Sequence, residues 1–252
     1  MNITTGKVEQ PPRVIVCGVE KIGKSTFASQ FPGVLMIPVM GEQGVDDLEV
    51  SKTDPVNSYD ELMENIGWLY EEKHDFETVV LDSTSSLEPF IFDAVLKEHG
   101  ETSIEKVGGG FGKGYVYAGD KWRELTRGLD ALRSKGMASV LIGHVIVRTF
   151  MDPLADVYDV YELDINKKAS ALLQRWADAI LFANNKITVK SEETKGGKDR
   201  KRAIGSENQR RLYTQKRPTH PGGGRGVYGQ LPYELELSYK EWTNAIVEKK
   251  GG

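Results

Sequence analysis

The stretch GVEKIGKST, residues 18–26, has the spacing G-x-x-x-x-G-K-[ST]. Residues so spaced can cradle phosphates. Gly18 and Gly23 let the backbone curve, and the amides from Glu20 to Ser25 then point inward at the start of the following helix. Lys24 is expected to reach the β and γ phosphates of a nucleotide, Ser25 to offer a hydroxyl to Mg²⁺, and Thr26 to lie near the α phosphate. The expected nucleotide contacts are thus Gly18, Val19, Glu20, Lys21, Ile22, Gly23, Lys24, Ser25 and Thr26.

Three further residues lie where such chemistry needs them. Asp82 ends the apolar run TVVLDS, where a carboxylate either joins Ser25 in holding Mg²⁺ or caps the next helix. Beside a phosphate loop the metal role is favoured. Ser83 either supports a neighbour or simply makes the turn. Glu42, in MGEQGVDDL just past the apolar stretch 33–39, falls at the carboxyl edge of the inferred sheet, where ligands gather in open α/β folds. It is read as the base that orients water, against the alternative of a surface loop carboxylate. His144 ends SVLIG and is one of four histidines. There an imidazole reports the γ phosphate to the loop that follows, or is simply a satisfied strand-end histidine. The catalytic set is therefore Lys24, Glu42 and His144. No His/Cys cluster suggests zinc, and Cys17 is read as a small apolar side chain beneath the phosphate loop.

Positioning these residues calls for alternating strands and helices. Strands are expected at 13–18, 33–39, 78–83, 138–145 and 158–165, with later ones at 179–183, 186–192 and 210–215. Helices are expected from 26, over 58–73, from near Ser86, from Asp120, over 168–179 and at the carboxyl end. Apolar strands alternating with helices imply an α/β fold, a mostly parallel sheet covered on both faces, with the late strands forming an antiparallel region. With 252 residues, no internal repeat and no break in composition, one domain is expected, its core at about 12–245. A single cysteine excludes an internal disulfide framework and agrees with a reducing compartment. No run approaches the roughly 18 apolar residues of a membrane span, and the first ten residues lack a secretory apolar core. The expected location is the cytoplasm, with no membrane partner. A net charge of −4 argues against a surface coated with cations, though not against local clusters.

Two stretches combine cations with aromatics. KVGGGFGKGYVYAG (106–119) carries Lys106, Phe111, Lys113, Tyr115 and Tyr117 among glycines. Cations hold phosphates while aromatics stack on unpaired bases; alternatively, such a loop covers a small substrate. VIVRTFMDPLADVY (145–158) adds Arg148 and Phe150 and adjoins His144. KGGKDRKR (195–202), five cations and one anion, is read as a mobile basic loop or a merely solvated one.

The order of these motifs resembles the RecA/Rad51-like ATPase core, closest to the short phage-encoded RecA-like single-strand annealing proteins (the Sak4 group). GVEKIGKST and TVVLDSTSSLE match its two nucleotide motifs, and GEQGVDDL falls at its catalytic glutamate. LIGHV falls at its polar γ-phosphate sensor, often glutamine, so His144 departs in residue type. WADAILFANN and RRLYTQ are similar to the later strands. The resemblance covers residues 12–245 and implies a RecA-like P-loop sheet. It implies ATP and Mg²⁺ as cofactors, hydrolysis between neighbouring subunits of a filament or ring, and single-stranded DNA as partner. Strand annealing or exchange, often with a single-strand DNA-binding protein, is the implied activity, in the host-cell cytoplasm if phage-encoded. The stretches 106–119 and 145–158 stand where that core has its DNA-facing loops, and Lys167 and Lys168 where filament relatives reach a neighbour's ATP. The rival readings are a soluble P-loop kinase for a nucleotide or metabolite and a nucleotide-regulated protein-binding module.

Overall fold

The computed structural model describes residues 3, 5, 6, 8–152, 156–193 and 199–251, with the side chains of 187–193 and 199–208 left aside. The parallel strands are β1 (Arg13–Gly18), β2 (Val34–Pro38), the short β3 (Ser51–Lys52), β4 (Thr78–Asp82), β5 (Ala138–Phe150) and, after β6 (Tyr158–Leu163), the first half of β7 (Ala179–Glu193). Then come β8 (Asp199–Tyr213), β9 (Gly223–Gly224) and β10 (Glu234–Glu236), all antiparallel to their partners. Among the described residues the sheet has ten strands in the order β10-β8-β7-β1-β5-β4-β2-β3, with β6 on β5 and β9 on β7 off that path. The sheet is thus parallel around the phosphate loop and antiparallel at its late edge, as the sequence implies.

The central strands are mainly apolar where both of their faces are covered, which for β5 means its first half. Ile15 and Cys17 of β1, Leu35 and Ile37 of β2, and Val79 and Leu81 of β4 point to one face. There they meet α2 (Tyr59–Glu71), α3 (Thr84–His99), α4 (Lys113–Ser134) and α5 (Lys167–Trp176) through Leu62, Ile66, Leu87, Ile91, Trp122, Leu125 and Leu173. Val14, Val16, Met36 and Val80 point to the other. That face is closed by α1 (Lys24–Ala28) and α6 (Tyr239–Gly251), which bring Phe27, Trp242 and Ala245. Phe27, Phe31, Tyr239 and Trp242 form an aromatic cluster with ring centroids 4.6 to 6.3 Å apart. Helix α1 and the late helix α6 are thereby packed together on one face of the sheet.

Four expectations about local structure are corrected. The glycine-rich segment 106–119 is only partly a loop: a 3-10 turn covers Val107–Gly109, and α4 begins at Lys113, seven residues before the expected start. Tyr115 packs edge-on against Phe92 and donates to Glu105 Oε1 at 2.9 Å, while Tyr117 lies over His99. Of the segment 145–158, residues 145–150 are the outer half of β5, which forms an antiparallel ladder with β6 from Val145↔Leu163 to Phe150↔Tyr158, and residues 153–155 lie outside the described residues. The two strands expected at 179–183 and 186–192 are one strand, interrupted by a register shift between Asn185 and Ile187. Finally, the basic stretch 195–202 was expected to be a loop. Its residues 195–198 lie outside the described residues, and from Asp199 the backbone is strand β8, paired with β7. The density of charge in KGGKDRKR hid the strand from a reading based on apolar runs.

Candidate nucleotide site

Two glycines shape the phosphate loop. At Gly18 a Cβ would lie 2.2 Å from the carbonyl oxygen of Ala183, because β1 and β7 pair tightly there. Gly23, the N-cap of α1, has φ 107°, a left-handed conformation that costs glycine little. The loop then delivers the amides of the first turn of α1 into a cleft of about 600 Å³. Its walls are Glu20 to Thr26, Gly41 to Gly44, Asp82, His144 and Arg210.

Lys24 is buried, and its Nζ donates to the carbonyls of Gly18 at 3.1 Å and Val19 at 2.9 Å. Burial pulls its pKa down, opposed chiefly by the nearby Asp82 carboxylate. Ser25 Oγ donates to Asp82 Oδ2 at 2.6 Å. Burial pushes the Asp82 carboxyl above its ordinary range, against the Ser25 hydrogen bond, and Glu42 adds to the rise. A hydroxyl and a desolvated carboxylate converging in this way suit a hard, oxygen-seeking cation that keeps most of its other ligands as water or phosphate oxygen. Among the described residues no group of three or more His, Cys, Asp or Glu could hold a metal alone. The donor set therefore fits Mg²⁺ shared with a nucleotide and does not fit a closed metal cage.

Glu42 follows β2 on a turn in which its amide donates to the Val39 carbonyl at 3.0 Å. Its Oε1 accepts from Ser83 Oγ at 2.5 Å, Ser86 Oγ at 2.6 Å and His144 Nε2 at 2.9 Å. The His144 hydrogen bond is the largest influence on this carboxyl, whose pKa falls to about 2 despite partial burial. Ser83 also caps α3, accepting from the Ser86 amide. It thus does both things the sequence left open, making the turn and supporting a neighbour. His144 is held from behind: its amide donates to Ser85 Oγ at 3.1 Å, and its carbonyl accepts from Asp164 N at 3.0 Å.

Strand order explains how residues so far apart in sequence converge. β5 lies between β1 and β4, with Gly18 opposite His144 and Asp82 opposite Ile142. The carboxyl ends of β1, β2, β4 and β5 consequently place Lys24, Glu42, Asp82 and His144 around one cleft. Cys17 lies just behind, fully buried, its thiol pushed up to about 12 by desolvation. Such a thiol is inert packing.

The residues expected to meet DNA lie elsewhere. Lys106 is exposed at the start of the 3-10 turn, and Phe111 is fully exposed at φ 53°. Lys113 donates to the Gly108 carbonyl at 2.9 Å. Arg148 pairs with Glu162 at 3.3 Å, and Phe150 rests on Tyr158 at the outer end of the β5–β6 hairpin. Lys167 and Lys168 are exposed in the first turn of α5, away from the cleft walls. Sequence reasoning missed Ser86 and Arg210 in the site. Ser86 was detectable as the third residue after a capping serine, whereas Arg210 falls in RRLYTQ, which reads as a late strand.

No curated protein matches the sequence, and no helix among the described residues is long and apolar enough to cross a membrane. The family model described as AAA domain matches residues 10–226, from just before β1 to beyond β9. Every wall of the cleft falls inside that match, and the chain belongs to the AAA domain family, with the mixed sheet and flanking helices of a P-loop NTPase core.

Proposed function

We propose that this P-loop NTPase is an ATP-dependent, single-stranded-DNA-binding recombination protein of RecA-like type that promotes strand annealing and hydrolyses ATP at a subunit interface. The observation that carries the reading is the continuity of β5. His144, midway along it, is held against Glu42, and its outer half, paired with β6, bears the exposed Arg148 and Phe150. One continuous strand therefore links the nucleotide chemistry to a surface that carries Phe150 and Arg148, the latter paired with Glu162.

In this reading Lys24 and the loop amides hold the phosphates. Ser25 and Asp82 would hold Mg²⁺, which supplies positive charge beside the phosphates when bound. Glu42 accepts a hydrogen bond from water and orients it toward the γ phosphorus. With a pKa near 2 it is ionised at neutral pH but a weak base, so its first task is orientation. A shift of His144 from Glu42 to the γ phosphate would raise that basicity when substrate is in place. Phe111, held outward by a left-handed backbone that a non-glycine residue adopts at a cost, offers a stacking face for an unpaired base. Lys106 is exposed five residues before it, and Lys167 and Lys168, exposed in the first turn of α5, would meet a neighbouring subunit's nucleotide.

The test is steady-state ATP turnover with and without single-stranded DNA, with a matched duplex as control and Lys24→Ala as the background. Turnover raised several-fold by single strands over duplex supports the proposal. Phosphate transfer to a nucleoside or metabolite, indifferent to DNA, would instead mark a kinase.

A further inference from the structure

We infer that Arg210 is a second cation of the nucleotide site, supplied by the antiparallel arm of the sheet and directed at the phosphates of the nucleotide held by the loop 18–26. The inference rests on the nucleotide-binding reading above and deepens it.

Three observations converge on this residue. First, Arg210 lines the same cleft as Lys24, Ser25 and Asp82, and its Nη1 stands so close to the loop that a Cβ on Gly23 would come within 3.2 Å of it. Second, its neighbour Arg211 is committed to the carboxylates of β10. Arg211 pairs with Glu234 at 2.9 Å and Glu236 at 3.6 Å on β10. Arg210, on the opposite face of the strand, has no ion-pair or hydrogen-bond partner for its guanidinium among the described residues. Third, the backbone aims it. Asn185↔Arg210 is the last pair before the register shift in the β7–β8 ladder, and the Arg210 carbonyl accepts from Leu237 N at 3.3 Å. A bulge at that point turns a side chain out of the ladder and toward a site.

The chemistry is suited to phosphate. The anionic side chains of the cleft, Glu20, Glu42 and Asp82, face Lys21, Lys24 and His144, and Lys24 is buried with a lowered pKa. A nucleoside triphosphate brings several further negative charges. A guanidinium is always protonated and binds phosphate oxygens in pairs, so it adds charge and orientation that a buried lysine alone does not supply. Because β8 continues into the arm formed with β7, the same residue ties that arm to the nucleotide.

The experiment is calorimetric titration of the full chain with MgATP and with MgADP. Wild type is compared with Arg210→Ala, Arg210→Lys and the charge-loss control Lys97→Ala. Lys97 lies near the C-terminal end of α3, whose N-terminus faces the site, and a 16-residue helix is about 24 Å long. The expected result is a loss of MgATP affinity of roughly tenfold or more in Arg210→Ala, partial recovery in Arg210→Lys, and wild-type affinity in Lys97→Ala. Equal affinity in wild type and Arg210→Ala overturns the assignment of Arg210 alone. Equal loss in Lys97→Ala also overturns it, since net charge would then explain the effect. A wild-type chain that binds neither nucleotide overturns the underlying reading as well.

Discussion

His144 Nε2 lies 2.9 Å from Glu42 Oε1, a contact between residues 102 positions apart that joins β5 to the turn after β2. An ionised carboxylate only accepts, so the imidazole donates from Nε2. Its Nδ1 is buried and has no partner among the described residues. Neutral His144 is therefore the Nε2–H tautomer, and its one directed bond goes to the catalytic candidate.

Replacing His144 by alanine removes the strongest influence that keeps the Glu42 pKa near 2. The acidic limb of the kcat/KM profile, which reports the free enzyme, should then move to higher pH, toward the usual carboxylate range. Turnover near neutral pH should fall by about tenfold to a hundredfold, because water is no longer oriented by a fixed carboxylate. Nucleotide affinity should change little. His144→Gln, which keeps a donor, should restore part of both effects. An unmoved acidic limb would remove His144 from control of Glu42.

The same carboxyl contributes to acid stability. Its folded pKa, about 2, lies below the ordinary value of 4.5, so its contribution is complete above about pH 4.5 and is lost as pH falls toward 2. Glu42→Gln should therefore show a shallower loss of stability than wild type between those limits, measured as urea midpoints at successive pH values. Identical slopes would mean that the three hydrogen bonds contribute no net preference for the charged form.

Asp82 has the opposite sign. Burial raises its pKa, so its charged form opposes folding at pH values above the folded pKa, and that penalty shrinks as pH falls. Asp82→Asn keeps an acceptor for Ser25 Oγ and removes the charge. Without nucleotide it should raise Tm by a few degrees near neutral pH, since about 1 kcal/mol corresponds to roughly 2–4 °C in chains of this size. It should also abolish the stabilisation that Mg²⁺ with nucleotide gives the wild type. A lower Tm in Asp82→Asn would contradict the desolvation account.

Phe111 and Tyr115, grouped together by sequence, should separate by experiment. Phe111 is fully exposed and contributes no packing, so Phe111→Ala should leave Tm unchanged and weaken single-strand affinity by about fivefold or more, at stacking energies of about 1–3 kcal/mol per base. Tyr115 packs on Phe92 and bonds Glu105, so Tyr115→Ala should lower Tm by a few degrees. Equal DNA affinity in wild type and Phe111→Ala would remove the stacking role.

What the sequence made legible follows from range of interaction. The phosphate loop is a local device, so GVEKIGKST alone located Lys24 and Ser25. Asp82, Glu42 and His144 were singled out because each follows an apolar run, and parallel strands in a covered sheet bring the ends of such runs to one edge; β5 itself continues past His144 to Phe150. Ser86 was missed because it reads only as the start of a helix, and Arg210 because its place in the cleft depends on pairing between strands distant in sequence. The run GGGFGKG suggested a longer loop than exists, since glycine lowers helix propensity. Burial of Ala118, Trp122 and Leu125 against the sheet outweighs that preference, and α4 extends back to Lys113.

The most direct measurement is single-stranded-DNA-stimulated ATP turnover in Glu42→Gln, alongside nucleotide-dependent DNA binding by the same variant. The account predicts turnover reduced by at least about a hundredfold, with nucleotide affinity and nucleotide-dependent single-strand binding retained. Glutamine keeps the acceptor oxygen for Ser83, Ser86 and His144 while losing the charge that orients water. Wild-type turnover in Glu42→Gln would contradict the account.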